Sequence, residues 1–358
     1  MGSFRRLLDP QPFVGHSPNM RDAWQSIWLQ LTGVFLVASV CCVAGLSAGH
    51  GELIPPLDDT FIHLQYARNL SNGDFFSFNP GGPYSTGDTS PLYVLLLTPG
   101  FWFGLDGTNA MWWVFFINAL LHLGTVNIGC RLLREATTSH IGHWIGFTLL
   151  LTWGPWIWGI YLGMEVALAA FLLLVILYGN AADNSGQEYR WRLVRWAGLI
   201  ALPLVRPEGL VLSALAIVVQ RAGGPGQFSE RIHRALLESL TLLPFGLYLL
   251  TNRLLTGSFT TAGYLVKAAS EDPGSSTWEA LAHIASSSAA LLSDVFFSTA
   301  IEYLPPLALV WMLIALGPRL TAEWRLGRSP LWTLVSVWWV ADLLLVAMAW
   351  FPDVHRAR

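Results

Sequence analysis

Charged residues are scarce in this sequence. Only 12% of its 358 residues are charged, whereas 53% are hydrophobic and 18 are tryptophan. A soluble domain of this length would carry about a quarter charged residues. The low charge therefore excludes an ordinary soluble protein and predicts an all-α, polytopic membrane protein.

Several signatures of other protein classes are also missing. Three cysteines are too few for a disulfide scaffold. No glycine-rich phosphate loop, metal-spaced His/Cys cluster, Ser/His/Asp arrangement or nucleic-acid-binding signature is evident. No apolar core precedes residue 27, which excludes an ordinary signal peptide. The first hydrophobic run is therefore interpreted as an uncleaved anchor.

Hydrophobic runs predict about nine transmembrane helices in a single domain covering residues 1–358. A span needs to cross about 30 Å of hydrocarbon. The predicted spans are 27–47, 110–130, 141–161, 164–180, 192–205, 209–220, 235–252, 300–317 and 331–350. Two long outer segments lie between them, at 48–109 and 253–299, and the first is expected to contain interfacial helices at 59–71 and 91–104.

Basic residues predict the orientation of these helices. With the N-terminus in the cytoplasm, 14 of the 20 lysine and arginine residues fall in cytoplasmic segments. Such an excess is the established mark of cytoplasmic loops. The run Leu92–Phe103 is about 18 Å long as a helix, too short to cross. Counting it as a span would place every later loop on the opposite side of the membrane and remove the agreement with the basic residues. Any chemistry is therefore expected on the outer face.

An acidic pair, Asp58-Asp59, follows the first span. Pro55-Pro56-Leu57 ends any preceding helix, and Asp58 is expected to cap the next one by accepting backbone N–H groups. Capping requires only one carboxylate, so the second needs another explanation. The pair could act as a general base with its orienting partner or as ligands of a divalent metal ion. Both alternatives stay open.

The helix predicted over 59–71 is interpreted as amphipathic. Phe61, Leu64 and Leu70 are expected to form its apolar side, with His63 and Arg68 elsewhere, and Asn72-Gly73 to end it. Other histidines are scattered and suggest no common site.

Aromatic residues alternate with glycine, proline and small polar residues over 74–88, around Tyr84. Such a loop suits either a sugar-binding surface or ordinary anchoring of aromatic rings at the membrane interface.

Three further places on the outer side carry charge. Glu165 begins a span, where an acid also favours the helix dipole. Arg206-Pro207-Glu208-Gly209 interrupts residues 191–220, and its proline and charges favour two short helices over one long helix. Arg206 and Glu208 could form a structural pair, or Arg206 could bind phosphate oxygens. Lys267 is the single lysine.

These motifs together resemble the C-type superfamily of polytopic membrane glycosyltransferases, which use polyprenyl-phosphate sugars. The likeness is to the branch containing the mycobacterial terminal β-arabinofuranosyltransferase. The matching segments occur in the family's order, at Leu57–Leu70, Phe78–Gly81, Thr89–Leu92, Gly163–Glu165 and Arg206–Gly209.

The resemblance implies transfer of a sugar from a polyprenyl-phosphate donor to a hydroxyl of a glycan or lipid acceptor. It implies that Asp58 is the general base, supported by Asp59, and that Arg206 and Lys267 bind the donor phosphate. Glu165, Glu208, Arg68 and Tyr84 are the other candidate substrate-binding residues. The implied location is a bacterial cytoplasmic membrane, with the active face outside.

Two departures from the family pattern favour an alternative function. Thr261-Ala262-Gly263 stands where relatives often carry Pro-Asn-Thr, and relatives continue past a stretch like Pro352–Arg358. The sequence is therefore expected to be either incomplete at its C-terminus or a shortened relative. A shortened relative could be a catalytically silent subunit of a larger membrane complex. A transporter is disfavoured, because the spans carry almost no charge and no repeat is visible.

Overall fold

The computed structural model describes residues 20–136, 140–152, 157, 159, 162–184, 189–222 and 227–259. Helices make up 79% of this part of the chain, which contains no strand. Its ten α-helices are α1 (Met20–Ala48), α2 (Asp59–Ser71), α3 (Pro91–Trp102), α4 (Ala110–Ala136), α5 (His140–Thr152), α6 (Val166–Asn184), α7 (Tyr189–Val205), α8 (Gly209–Ala222), α9 (Phe228–Ser239) and α10 (Leu243–Thr256). Short 3₁₀ helices occupy Gly107–Asn109 and Leu240–Leu242.

Three helical stretches are long and apolar enough to cross a membrane, at Ile27–Ala48, Gly107–Leu133 and Phe228–Thr256. Shorter apolar helices occupy Pro91–Trp102, His143–Thr152, Val166–Ala182 and Gly209–Arg221. The predicted all-helical architecture is therefore confirmed and is consistent with a membrane protein, whereas the number of nine spans stays a prediction. The predicted spans 300–317 and 331–350, and most of the outer segment 253–299, lie outside the described residues.

Helix α1 has the surface expected of a lipid-facing helix. Phe35, Val40 and Val43 are exposed apolar side chains along it. Its opposite side packs on α4 and α5, where Val34 and Cys130 are buried in a small apolar cluster. Since long exposed apolar surfaces are rare on soluble monomers, α1 is best accommodated by lipid.

The main hydrophobic core joins α2, α3, α4, α6, α7 and α8. Helix α3 has the predicted short length, and it begins with Pro91 at its first position after Ser90. Tyr93, Val94 and Leu97 are fully buried, so α3 is packed between α2 and α4. Its depth relative to the membrane surface stays a prediction.

The break predicted at Arg206-Pro207-Glu208 is confirmed, because α7 ends at Val205 and α8 begins at Gly209. The Gly209 N–H donates to the Arg206 carbonyl across the turn, at 2.8 Å. A Cβ at Gly209 would lie 2.5 Å from the Leu202 carbonyl oxygen, so the turn requires glycine there.

The predicted span 235–252 belongs to a longer helical stretch, in which α9 begins at Phe228 and continues through the 3₁₀ turn into α10. Phe228, Ile232 and Leu236 are exposed at four-residue intervals, so they form one apolar stripe on α9. The predicted span therefore lies within a helical stretch that begins about two turns earlier.

A buried charge cluster ties α9 to α7 and α8, and we call it the Glu238 cluster. Arg195 is fully buried, and its Nη1 and Nη2 donate to the two carboxylate oxygens of Glu238 at 2.8 and 3.2 Å. The Nε of Arg221 donates to the same carboxylate at 3.0 Å. Arg195 lies eleven residues before Arg206, or about 16 Å along the helix axis. This cluster is therefore well separated from the 206–208 turn.

Candidate functional site

Helix α2 begins at Asp59 and ends at Ser71, as predicted, and Asn72 occupies its C-cap position. Asp58 occupies the N-cap position, but its side chain makes no capping hydrogen bond. The predicted cap is therefore wrong, because the Asp58 backbone is already helical (φ −65°, ψ −31°) rather than extended. The Asp58 carboxylate is exposed at the start of α2, whereas Asp59 is half-buried.

The buried face of α2 is polar, and the predicted apolar side is wrong in part. Leu64 is buried as expected, but Phe61 is exposed. Thr60, His63 and Asn69 are buried instead. A buried polar face requires hydrogen-bond partners from neighbouring elements, and those partners define the site.

His63 is the centre of a buried group that we call the His63 cluster, comprising His63, Asp88 and Glu165. Its Nδ1 lies 2.6 Å from Oδ2 of Asp88, and its Nε2 lies 3.1 Å from Oε2 of Glu165. The second contact has the distance of an ion pair but not the alignment of a hydrogen bond. The Tyr93 ring packs edge-on against the imidazole, with centroids 5.3 Å apart. The imidazole therefore bridges two carboxylates from distant parts of the chain.

Opposing effects act on the pKa of His63. Burial, the largest of them, lowers the pKa because it disfavours the charged imidazolium. The attraction of the Asp88 and Glu165 carboxylates and the hydrogen bond to Asp88 together outweigh burial and raise the pKa to about 10. His63 is therefore a cation at neutral pH.

This raised pKa predicts how stability depends on pH. The stabilisation from His63 is complete below its ordinary pKa near 6.5 and is lost as the pH rises through about 10. The thermal unfolding midpoint in detergent should therefore fall from pH 6.5 to 10. The unfolding midpoint of a His63→Gln protein should be lower at pH 6.5, because two carboxylates lose their cation. It should also change less between pH 6.5 and 10. Parallel curves for the two proteins would contradict a charged His63.

Arg206 extends the His63 cluster to the turn between α7 and α8. Its Nη1 lies 3.5 Å from Oε1 of Glu165, and its Nε lies 2.5 Å from Oε1 of Glu208. The Arg206 side chain is 42% exposed. The Arg206–Glu208 pair predicted from the sequence is thus present, but it is partly open to solvent. Glu165, by contrast, is buried between two cations.

Sequence reasoning missed both His63 and Asp88. Asp88 accepts a hydrogen bond from the Ser90 N–H at 2.6 Å, so it also fixes the start of α3. Ser90 itself makes no side-chain capping bond. The signal that could have revealed Asp88 is its place two residues before a Ser-Pro helix start, where a carboxylate often binds the backbone.

Gly163 lets Glu165 approach α2. The Thr60 hydroxyl donates to the Leu162 carbonyl at 2.7 Å, which brings this segment against the helix. Gly163 has φ +75°, and a Cβ there would lie 2.4 Å from Cγ2 of Thr60. Both its backbone conformation and its contact therefore require glycine.

Gly163→Ala should destabilise the protein by more than the backbone cost of about 1–2 kcal/mol for a left-handed residue. Gly73→Ala is the matched control, because Gly73 has φ +95° but open space around it. Adding Thr60→Ser to Gly163→Ala should recover part of the loss, since serine lacks Cγ2 yet keeps the hydroxyl. Equal thermal shifts for Gly163→Ala and Gly73→Ala would contradict this close contact.

The remaining candidate residues lie in different places. Arg68 is exposed near the end of α2 and pairs with Asp106 at 3.2 Å, about 14 Å along the helix axis from Asp59. Tyr84 lies in the loop between α2 and α3 and donates its hydroxyl to Asn252 of α10. Lys267 lies outside the described residues.

The His63 cluster does not have the form of a metal site. Its two carboxylates contact opposite nitrogens of the imidazole rather than converging on one point. No group of three His, Cys, Asp or Glu residues suited to a metal ion occurs in the described ranges. A divalent metal therefore has no three-ligand site among them.

The chain matches no protein-family model, no curated protein and no solved structure. The resemblance to C-type glycosyltransferases therefore rests on its sequence motifs, and membership of that family stays a prediction.

Proposed function

We propose that this protein transfers a sugar from a polyprenyl-phosphate donor to an acceptor hydroxyl at the outer face of a bacterial cytoplasmic membrane. The observation that carries the proposal is the unbroken chain of contacts from α2, through His63 and Glu165, to Arg206. It joins the helix that begins after Asp58 to a cation suited to phosphate.

Asp58 is the general base of the proposed reaction. Its carboxylate takes the proton from the acceptor hydroxyl as the hydroxyl oxygen forms a bond to the anomeric carbon. The bond between that carbon and the phosphate oxygen breaks, and the phosphate leaves with the electron pair. A single displacement of this kind inverts the configuration of the anomeric carbon. An exposed carboxylate is available to an incoming acceptor, which supports this assignment.

Arg206 binds the departing phosphate in this proposal. Its guanidinium is held by Glu165 and Glu208, while 42% of its side chain is exposed. A positioned arginine stabilises negative charge that develops on phosphate oxygens, and its planar group suits them. Glu165 and His63 are positioning residues, because they act through Arg206 and α2.

The His63 cluster fixes the geometry between base and phosphate group. His63 lies five residues after Asp58, or about 8 Å along the helix axis. Its contacts with Asp88 and Glu165 lock the orientation of α2 relative to the 206–208 turn. Such support from buried partners is what a reaction requiring precise alignment needs. Asp59 supports Asp58 from the first turn of α2.

The direct test is a transfer assay on the purified protein in lipid nanodiscs. It uses fluorescent polyprenyl-phosphate sugars that differ in the sugar, together with short glycan and lipid acceptors. Transfer from at least one donor, dependent on the lipid phosphate, is expected. Failure with every donor, together with stable co-purification in a larger assembly, would instead favour a catalytically silent subunit.

A further inference from the structure

A group of aromatic side chains in the loop between α2 and α3 forms what we call the aromatic shelf, comprising Phe75, Phe76 and Tyr84. The rings of Phe75 and Tyr84 are nearly parallel, with centroids 5.9 Å apart and an angle of 24°. Phe76 contacts Phe75 edge-on at 5.2 Å. Phe75 is 60% exposed, so the shelf offers ring surface to a ligand.

Buried polar groups of α2 hold the loop in place. The Asn69 amide donates to the carbonyl oxygens of Ser77 and Phe78 at 2.9 and 2.8 Å. Asn69 is buried, and its amide is occupied by these bonds. The Ser85 N–H donates to the Phe76 carbonyl at 2.9 Å and pairs the two arms of the loop.

The backbone of Phe76 in this loop has an energetically unfavourable conformation. Phe76 has φ +43°, in the left-handed region that a phenylalanine rarely adopts. Such a conformation persists only where the surrounding contacts determine it, and it is frequent at ligand-binding sites. The rings are therefore oriented before any ligand arrives.

A polar group lies next to the aromatic shelf. The Tyr84 hydroxyl donates to Oδ1 of Asn252, which is fully buried on α10. Asn252 also interacts with the Tyr248 hydroxyl on the same helix, so it belongs to a small polar group beside the shelf. A few placed polar groups beside aromatic side chains are what fixes the orientation of a ligand in a binding site.

We infer that the aromatic shelf binds the non-reacting sugars of an oligosaccharide acceptor, an inference that rests on the proposed function. Sugar rings present C–H faces that stack on aromatic rings and hydroxyls that accept from amides. The Tyr66 hydroxyl on α2 also holds this loop, because it hydrogen-bonds with Ser85 and accepts from the Gly87 N–H. Tyr66 and Asn69 are eight and eleven residues after Asp58, or about 12–16 Å along the helix axis. An oligosaccharide is long enough to reach from the shelf to Asp58.

Anchoring in the membrane interface is the competing explanation. Exposed aromatic rings are enriched at that depth. Anchoring, however, requires neither a strained backbone that fixes the rings nor a polar pair such as Tyr84 and Asn252 beside them. The observations on Phe76 and Asn252 therefore favour a sugar ligand.

Direct binding separates this inference from catalysis. The probes are fluorescently labelled arabinan, galactan, mannan and glucan oligosaccharides, tested on the purified full chain in nanodiscs. At least one should bind, and Phe75→Ala should weaken its binding about tenfold. Phe75→Trp should bind nearly as well as the natural protein, because it keeps a stacking ring. Phe103→Ala, which removes a phenylalanine that is 72% exposed at the end of α3, should change nothing.

Three outcomes would overturn the inference. They are no binding of any probe, equal binding by Phe75→Ala, and quenching by brominated lipids that is greater in Phe75→Trp than in the natural protein with its 18 tryptophans. If oligosaccharides bind at the shelf but no sugar is transferred, the binding site is supported and the proposed function is rejected. If sugar is transferred to short acceptors but no oligosaccharide binds, the proposed function is supported and the binding site is rejected.

Discussion

Asp58→Asn is expected to abolish sugar transfer while leaving the fold intact. Asparagine has nearly the same shape as aspartate but cannot accept the proton of the acceptor hydroxyl. General-base catalysis contributes about 10²–10⁴-fold to a rate, so the turnover should fall by a factor in that range. Because the Asp58 side chain is exposed and caps nothing, its replacement should not change the thermal unfolding midpoint.

Glu52→Gln provides the matched control for this experiment. Glu52 is an exposed acidic residue six positions earlier in the same segment. Its replacement should leave both transfer and stability unchanged. Asp59→Asn should reduce transfer less than Asp58→Asn, because Asp59 has only a supporting role. If Asp58→Asn transfers sugar as fast as the natural protein, Asp58 is not the base.

Glu238→Gln is expected to destabilise the fold strongly, and more than Gly163→Ala does. Glutamine preserves the shape of the side chain but removes the charge that Arg195 and Arg221 share. Arg195 would then remain fully buried without its counter-charge. Breaking a buried ion pair by removing one partner costs about 3–5 kcal/mol.

Glu230→Gln is the control for Glu238→Gln. Glu230 is exposed on the same helix, α9, and pairs with Arg234 one turn later at 3.1 Å. An exposed pair of this kind contributes about 0.3–0.5 kcal/mol. Unfolding in mixed micelles of increasing SDS content should therefore shift strongly for Glu238→Gln and hardly at all for Glu230→Gln. Equal shifts would contradict the assigned role of the Glu238 cluster.

The two charge clusters have different roles. The Glu238 cluster is buried, and it connects α7, α8 and α9. The His63 cluster connects α2 to the 206–208 turn, because its Glu165 contacts the partly exposed Arg206. The first therefore stabilises the bundle, whereas the second supports a group that can meet a ligand. Glu238 variants should accordingly lose stability rather than donor specificity.

Local signals in the sequence predicted the helices near the site well. The bounds of α2 follow from the prolines before it and Asn72-Gly73 after it, which act within a few residues. The break between α7 and α8 follows from Pro207 and its flanking charges for the same reason. The start of α9 at Phe228 likewise follows a Gly-Gly-Pro-Gly run at 223–226, a local signal that the predicted span 235–252 did not use.

The connections within the site could not be predicted in this way. His63 meets a residue 25 positions away, and Thr60 meets one 102 positions away. Helical periodicity placed His63 away from the core, because it treats a polar residue as solvent-facing. His63 is buried instead, because partners that are distant in sequence supply the polar contacts that its imidazole needs inside the protein. The pairing of Arg195 with Glu238 was missed for the same reason.

An experimental structure with a bound non-hydrolysable polyprenyl-phosphonate sugar would test the central claim most directly. We predict that the phosphonate lies within ion-pair distance of Arg206 and that the sugar lies between Arg206 and Asp58. The lipid tail should reach this position from the side of the bundle. A phosphonate bound instead at the Arg195 end of α7, or a sugar facing away from Asp58, would contradict the proposed site.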